Sequence, residues 1–261
     1  MHSAEFRFYA ELSDFLPRSR RGTSFVHRFS GSPSVKDAIE SLGVPHAEVD
    51  LVLADGESVG FSFRLRDGVR VAVYPTFESI DVAPLTRVRP EPLRDLRFVL
   101  DGHLGRLARH LRMAGFDAWW RRDASDEELA ALSAAERRVL LTRDRGLLKR
   151  SAVTHGYCVR EALPARQLAE VVRRFDLARS VAPFRRCLRC NDPLEPVAKE
   201  AVAERLPPRV RERHADFRRC PACGRVYWAG THHRRMERLL AEILAAAAGE
   251  APSGGRLTRR G

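Results

Sequence analysis

Residues 98–111, FVLDGHLGRLARHL, and residues 139–144, VLLTRD, decide the fold of this chain. Each begins with a short apolar run typical of a buried strand, and an Asp follows. After Asp101, a helix pattern places Leu104, Leu107, Ala108 and Leu111 on one face. Further strands are predicted at Phe116–Trp120 and Gly156–Val159, and helices at 125–137 and 165–175. Such alternation predicts an α/β fold with a mainly parallel sheet.

Acidic residues follow these predicted strands. Asp101 and Asp144 come just after strand ends, and Asp126 and Glu127 begin the helix after the second strand. Ligands of open parallel sheets bind at this edge. Converging carboxylates favour Mg²⁺ or Mn²⁺, which can activate water and stabilise the leaving oxygen of a phosphodiester. The alternative is structural: acids at a helix start complement its dipole, and Asp144 could cap a short helix.

Basic residues surround these acids. Arg106 and Arg109 lie opposite the apolar face of their helix, and Arg143, Arg145 and Lys149 flank Asp144. A solvated face is the ordinary meaning of such charges. Acidic residues that could bind a metal, next to basic residues that could bind phosphate, are nevertheless typical of a nuclease. We therefore expect these five basic residues to contact RNA.

Two C-x-x-C pairs, Cys187-Leu-Arg-Cys190 and Cys220-Pro-Ala-Cys223, predict a four-thiolate zinc site. Asn191 and Gly224, which follow the pairs, tolerate the positive φ of a metal knuckle. Four thiolates close the coordination sphere, so this Zn²⁺ would be structural. Redox or disulfide use is the alternative. Cys158, in a predicted strand, is expected to pack as a buried thiol.

The segment VYWAGTHHRR at 226–235 interleaves aromatic and basic side chains. That pattern suits stacking on unpaired bases, with Trp228 and His232 as candidate RNA contacts. Alternatively, Trp228 packs on the core of a zinc-ribbon strand. A helix is predicted over Met236–Ala248, and residues 249–261 have the composition of a disordered tail.

The front of the chain differs in charge from the rest. Residues 1–92 hold 11 basic and 13 acidic side chains, a net of −2, whereas residues 93–261 hold 35 and 21, a net of +14. Arg87-Val-Arg-Pro-Glu-Pro resembles a linker between the two parts. This front part is predicted to be a small β-grasp, ubiquitin-like α+β domain. Its predicted elements are a helix capped by Ser34 and strands near Phe6 and at Ser24–Phe29, Asp50–Ala54 and Arg70–Tyr74. No catalytic set of residues is visible in it, which favours a role in docking or scaffolding. It also lacks the free Gly-Gly C-terminus that ubiquitin-like sulfur carriers need, which disfavours a carrier function.

Composition excludes several classes of protein. The 261 residues are 44% hydrophobic, which is typical of a globular chain with a buried core. No apolar run reaches the roughly 18 residues of a membrane helix, and no secretory signal is visible. We therefore expect no membrane association and a cytoplasmic location. The net charge of +12 invites a nucleic-acid partner, although Arg-rich coding bias is an alternative source.

The chain resembles the Mut-seven C-terminal (Mut7-C) ribonuclease family in three motifs taken together. These are the run from Asp101 to Gly115, the segment Leu141-Thr-Arg-Asp-Arg145, and the two cysteine motifs with their flanking residues. The resemblance covers about residues 97–240. It implies a PIN-like nuclease fold with a C-terminal zinc ribbon, and the front part resembles the ubiquitin-like domain often fused ahead of it. His103 departs from the apolar residue expected there. The implied division is a ubiquitin-like domain at 1–92, a nuclease domain at 93–180, a zinc ribbon with its helix at 181–248, and a tail at 249–261.

The resemblance also implies an activity. It predicts a ribonuclease in which Asp101, Asp126 and Asp144 hold catalytic Mg²⁺ or Mn²⁺, with Asp123 or Glu127 as the fourth acid, and a protein partner for the ubiquitin-like domain. Two hypotheses compete with it. One is a non-catalytic RNA- or ribosome-binding adaptor whose acids are helix caps and whose zinc ribbon contacts the RNA. The other is a toxin of a toxin–antitoxin pair.

Overall fold

A computed structural model describes residues 1–75, 86–88 and 96–249. The strands are β1 His2–Phe8, β2 Phe25–Phe29, β3 Val49–Ala54, β4 Glu57–Ser58, β5 Arg70–Pro75, β6 Phe98–Leu100, β7 Ala118–Trp120, β8 Val139–Thr142, β9 Gly156–Cys158, β10 Glu195–Val197, β11 Phe217–Arg219 and β12 Val226–Tyr227. The helices are α1 Val35–Ser41, α2 Gly105–Met113, α3 Asp126–Ala135, α4 Arg145–Leu148, α5 Pro164–Arg174, α6 Pro208–Arg213 and α7 Thr231–Ala247. Among them, no helix is long and apolar enough to cross a bilayer.

The fold divides into two compact units. Unit 1 comprises Met1–Asp101 and Asp123–Cys158, and unit 2 comprises Gly102–Arg122 and Val159–Gly261. The predicted boundary near residue 92 and the tail beyond Gly249 lie outside the described residues. The division into domains at 92, 180 and 248 therefore stays a prediction.

The first part of unit 1 is a β-grasp sheet in the order β2-β1-β5-β3-β4, with β1 and β5 parallel and the other pairs antiparallel. Strand β1 alternates as expected for a half-buried strand: Ala4, Phe6 and Phe8 are buried, whereas Glu5 and Arg7 are exposed. Helix α1 buries Val35, Ala38 and Ile39. This region therefore has the predicted ubiquitin-like layout.

Local signals in the sequence explain the ends of these elements. Ser34 caps α1 in a capping box with Asp37, and Ser125 does the same for α3 with Glu128. Asp55 and Gly56 both have positive φ, +49° and +91°, and so form the tight turn between β3 and β4. The predicted cap of α1 by Ser34 is confirmed.

The second part of unit 1 contains the parallel strands β6, β8 and β9, in that order across the sheet. Phe98 pairs with Val139 and Leu141 with Tyr157. Every residue of these three strands is buried, as expected for a parallel sheet covered on both faces. Cys158 lies here as the predicted buried thiol.

The β-grasp region packs directly against β9, which is the edge strand of this group. The carboxylate of Glu48, which is fully buried, accepts a hydrogen bond from the Cys158 amide at 2.6 Å. Lys149 Nζ donates to the Glu40 carbonyl at 2.7 Å. A Cβ on Gly156 would lie 2.5 Å from the end of the Leu148 side chain and 3.3 Å from the Ala47 Cβ, so a larger residue would require Leu148 to shift. The ubiquitin-like part thus covers an otherwise open sheet edge.

Unit 2 contains α2, β7, α5, α7 and a sheet of three antiparallel strands in the order β10-β11-β12. Leu107, Ala108 and Leu111 are buried along α2, and Arg109 is exposed, as the periodicity predicts. His110 of α2 is half-buried, and its Nδ1 lies 3.2 Å from the Pro164 carbonyl of α5. Burial lowers its pKa.

Helix α7 begins five residues earlier than predicted, at Thr231 instead of Met236. Its first turn, THHR, has no apolar periodicity, so the sequence pattern did not reveal it. Its N-cap is Gly230, whose added Cβ would lie 2.8 Å from the Trp228 indole nitrogen. The aromatic-basic segment at 226–235 is therefore a short strand followed by a helix start.

Candidate functional site

Thr142 joins the two acids that follow β6 and β8. Its hydroxyl donates to Asp101 Oδ2 at 2.8 Å and accepts from the Asp144 amide at 2.9 Å. The Asp101 amide donates to the Leu141 carbonyl at 3.1 Å, which extends the parallel ladder one residue beyond β6. Because Thr142 is fully buried, its hydroxyl has a fixed position, and Asp101 and Asp144 are held through one side chain.

Asp144 also has the structural role that the sequence left open. Its Oδ1 accepts from the Gly146 amide at 2.7 Å and caps the four-residue helix α4. Asp144 remains exposed, and Asp101 is half-buried. A cap and a metal ligand are compatible roles for one carboxylate, because ionised carboxyl groups have about four lone-pair sites.

The remaining candidate acids lie at the start of α3. Arg150 Nη2 lies 2.8 Å from Glu127 Oε1 and 3.6 Å from Asp126 Oδ2. A hydrogen bond from its own amide and the Arg150 guanidinium lower the pKa of Glu127. Asp123 is exposed. Among the described residues, the carboxylates of Asp101, Asp126 and Asp144 do not come together as a set of three within 4.8 Å.

The four cysteines do come together in unit 2. Their Sγ atoms all lie within 4.8 Å of one another, with Cys187 3.6 Å from Cys223 and Cys190 3.3 Å from Cys220. Zn–S bonds of about 2.3 Å in a tetrahedron put sulfurs about 3.8 Å apart, so the set fits zinc. The four cysteines could therefore bind a metal such as zinc.

The two cysteine turns have the same backbone geometry. Asn191 has a φ of +76° and Gly224 a φ of +69°, as the sequence predicted. The Asn191 amide donates to the Cys187 carbonyl at 3.0 Å, and the Gly224 amide to the Cys220 carbonyl at 2.9 Å. Two equivalent turns thus present their thiols to a common centre.

Tyr227 supports the thiol cluster, a role that the sequence pattern did not reveal. Its hydroxyl lies 3.1 Å from Cys187 Sγ and accepts from the Leu188 amide at 3.2 Å. Burial opposes ionisation of Cys187, but hydrogen bonds from Tyr227 and from the amides of Cys190 and Arg189 outweigh it and lower the thiol pKa to about 6. Burial and Cys187 raise the pKa of Tyr227.

The first cysteine turn is fastened to α2 and β7. Arg112, 4% exposed, donates from Nε to the Ala118 carbonyl at 2.9 Å and from Nη1 to the Arg189 carbonyl at 2.7 Å. Asn191 accepts from the Ala118 amide at 2.9 Å and donates to Asp117 Oδ1 at 2.7 Å. The buried Arg112 guanidinium interacts electrostatically with Cys187 and Cys190, so it would offset part of the negative charge if the thiols ionised to bind a metal.

The predicted RNA contacts are distributed over both units. In unit 1, Arg143 is exposed, Arg145 lies 4.9 Å above the Phe15 ring, and Lys149 is bonded to Glu40. In unit 2, Arg106 and Arg109 are exposed on α2, and His232 is exposed in the first turn of α7. Trp228 is half-buried and packs on Val202, Leu206 and Phe217, so its structural role is observed. That any of these seven residues contacts RNA stays a prediction.

Comparison with known families gives two matches. The family described as Mut7-C RNAse domain matches residues 96–240, and the family described as Mut7-C ubiquitin matches residues 1–81. No curated protein matches the chain.

Two solved structures are similar to part of the chain. The crystal structure of H. volcanii small archaeal modifier protein 1 is 18% identical, covers 30% of this chain and 100% of that chain, and has a TM-score of 0.25. The crystal structure of SAMP1 from Haloferax volcanii is 19% identical over 30% of this chain and 99% of that chain, with a TM-score of 0.24.

Proposed function

The chain belongs to the Mut7-C RNase family, and from this premise we propose that it is a metal-dependent ribonuclease that hydrolyses RNA phosphodiesters. The observation that carries the proposal is the link through Thr142 between Asp101 and Asp144, after two neighbouring parallel strands. This is the sheet edge where ligands of such folds bind.

The donor chemistry fits Mg²⁺ or Mn²⁺. These ions take hard oxygen ligands, and Mg²⁺ is bound through one or two carboxylates plus substrate phosphates, with water completing its shell. Asp101 and Asp144 would suffice as the protein ligands, with Asp126, Asp123 and Glu127 as candidates for further contacts. When bound, the ion supplies Lewis-acid stabilisation of the charge that develops on a cleaved phosphodiester.

The residues of the chain contribute position and charge. The Thr142 hydroxyl fixes the Asp101 carboxylate, and the Gly146 amide fixes that of Asp144. Arg143, exposed between Thr142 and Asp144, is available to a phosphate group. Held carboxylates next to a mobile cationic side chain are suited to receiving an anionic backbone and a divalent cation together.

We further propose that Cys187, Cys190, Cys220 and Cys223 hold a structural zinc ion. Four thiolates leave no open coordination position, so the ion would stabilise the fold without taking part in the reaction. Because Arg112 and Asn191 join the first cysteine turn to α2 and β7, the zinc site would stiffen that part of unit 2.

A non-catalytic RNA-binding adaptor is the second candidate. The observations that favour it are the capping role of Asp144 and the pairing of Asp126 and Glu127 with Arg150. In either case we expect the ubiquitin-like region to bind a protein partner through surface that it does not use against β9.

Cleavage of a labelled single-stranded RNA with Mn²⁺ tests the proposal. D101N and D144N should each lower the rate at least about 100-fold, since even residues that only support metal ligands contribute about 10- to 100-fold. D14N, which changes an exposed acid paired with Arg21, is the matched control and should cleave like the parent. Equal cleavage by all four proteins that EDTA does not inhibit would contradict the assignment.

A further inference from the structure

A large groove runs along unit 2. It has a volume of about 2310 Å³ and is lined by residues 183–189, by α6 and the ribbon strands β11 and β12, and by the first half of α7. Ten arginines line it, against two carboxylates, Asp216 and Glu237. The positive charge of the second part of the chain is therefore concentrated in this groove.

Most of the arginines that line the groove are not paired with a carboxylate of the protein; Arg186, 3.4 Å from Asp117, is an exception. Eight of these arginines are exposed and have no carboxylate within 4 Å among the described residues: Arg109, Arg185, Arg189, Arg209, Arg213, Arg225, Arg234 and Arg235. Glu237 instead lies 3.3 Å from His233. Gathering like charges without counter-charges costs stability through their repulsion, and a bound polyanion offsets that cost.

Aromatic rings lie among these charges. The Phe184 ring is centred 4.0 Å from the His233 ring at an interplanar angle of 37°. Half of Trp228 packs on the ribbon core, and the rest of its indole lines the groove. Gly230 leaves room for that ring, because a Cβ there would lie 2.8 Å from the indole nitrogen. Flat aromatic surfaces beside guanidinium groups are suited to stacking unpaired bases.

We propose that this groove binds the backbone and bases of single-stranded RNA. The charge selects a polyanion, and the aromatic rings select unpaired bases over a duplex, whose bases are already stacked. The choice of RNA rests on the proposed ribonuclease function. The groove would thus hold a substrate strand at a site formed by the zinc ribbon and α7.

One wall of the groove belongs to the nuclease part of the chain. Arg109 of α2 lines it, and Arg106 lies one turn earlier on the same exposed face of that helix. An RNA strand in the groove would therefore contact Arg109, which the sequence predicts to be an RNA contact. The zinc ribbon and α2 form one continuous basic surface within unit 2.

Fluorescence anisotropy with a labelled single-stranded RNA of about 12 nucleotides, within the site sizes of about 4–16 known for such grooves, tests this binding. The zinc-loaded full chain is used without Mg²⁺ or Mn²⁺, so that no cleavage is required. Two groove variants are compared, R209Q/R213Q and R234Q/R235Q. Arg211 on α6 and Arg238 on α7 are exposed and do not line the groove, so R211Q/R238Q, which also removes two charges, is the matched control, with R211Q and R238Q as single controls.

Each lost phosphate contact should reduce the slope of log K against log salt by about 0.7. The slope of a double groove variant should then be smaller in magnitude by about 1.4. If the variant and the parent bind equally at 1 M salt, the variant should bind about 25-fold more weakly than the parent at 0.1 M salt. The controls should bind within about twofold of the parent. The proposal is overturned if the groove variants bind like the parent, if the controls weaken as much, or if duplex RNA or polyglutamate binds as tightly.

Binding and cleavage fail independently. RNA binding that depends on the groove without any Mn²⁺-dependent cleavage would support the groove and refute the ribonuclease. Cleavage that both double groove variants perform with parental KM and kcat would support the ribonuclease and refute the groove.

Discussion

The substitution Thr142→Val tests the link between the two principal acids. Valine matches threonine in shape, so no cavity forms, but both hydrogen bonds of the hydroxyl are lost. The bond to the charged Asp101 carboxylate contributes about 1.5–3 kcal/mol, and an unsatisfied Asp144 amide costs about 1 kcal/mol, since Asp144 is near solvent. We expect a loss of about 2–4 kcal/mol in the free energy of unfolding and a 10- to 100-fold slower RNA cleavage.

Urea unfolding and Mn²⁺-dependent cleavage measure the two effects separately. T142S keeps the hydroxyl and should restore the cleavage rate, and T23V, at an exposed position of unit 1, is the matched control. The loss in T142V should be partly recovered at higher Mn²⁺ concentration, because a poorly held carboxylate weakens metal binding and a purely structural defect does not. If T142V unfolds and cleaves like T23V, Thr142 does not position the acids.

Three further predictions concern unit 2. Arg112→Met leaves buried carbonyls without donors, so we expect a loss of about 3–5 kcal/mol in stability and faster zinc release to a chromophoric chelator; release at the parental rate would refute its role. Gly115→Ala should destabilise by more than 2 kcal/mol, on the order expected for strain plus overpacking, because φ is +100° and the new Cβ would lie 2.1 Å from the Ala182 carbonyl oxygen. Gly68→Ala, with φ +76° and nothing within 4 Å, should lose only about 1 kcal/mol in the same urea titration. Burial lowers the pKa of His110, so its contribution to stability is present above the unfolded pKa of about 6.5 and is lost as pH falls towards the lower folded pKa. H110F should flatten that part of the stability–pH curve.

Local patterns predicted the local structure well. Both capping boxes and the knuckle residues Asn191 and Gly224 form as expected, because caps and tight turns depend on residues close together in the chain. The strand-helix alternation identified the parallel strands β6, β8 and β9 for the same reason. The Cys-x-x-Cys spacing likewise limits how two thiols can be presented to one metal.

Contacts between distant residues were not predictable. Nothing near Glu48 in the sequence indicates that its carboxylate caps the Cys158 amide, 110 residues away, or that this region covers a sheet edge. The motif containing Thr142 was identified, but its hydroxyl has a role only because Asp101 lies on the neighbouring strand. Nothing near Arg112 in the sequence distinguishes it from an exposed arginine. It is buried because it bonds the cysteine turn, 76 to 77 residues later in the chain.

The metal dependence of a single-turnover rate constant tests the ribonuclease assignment most directly. Mn²⁺ is titrated into the zinc-loaded parent and D101N proteins, with a labelled single-stranded RNA and a separate measurement of RNA affinity. We predict that the parental rate rises with Mn²⁺ and saturates, and that D101N, with the same zinc content and RNA affinity, is at least about 100-fold slower. Cleavage by D101N at the parental rate, or parental cleavage that does not respond to Mn²⁺, would contradict a metal-dependent site at Asp101 and Asp144.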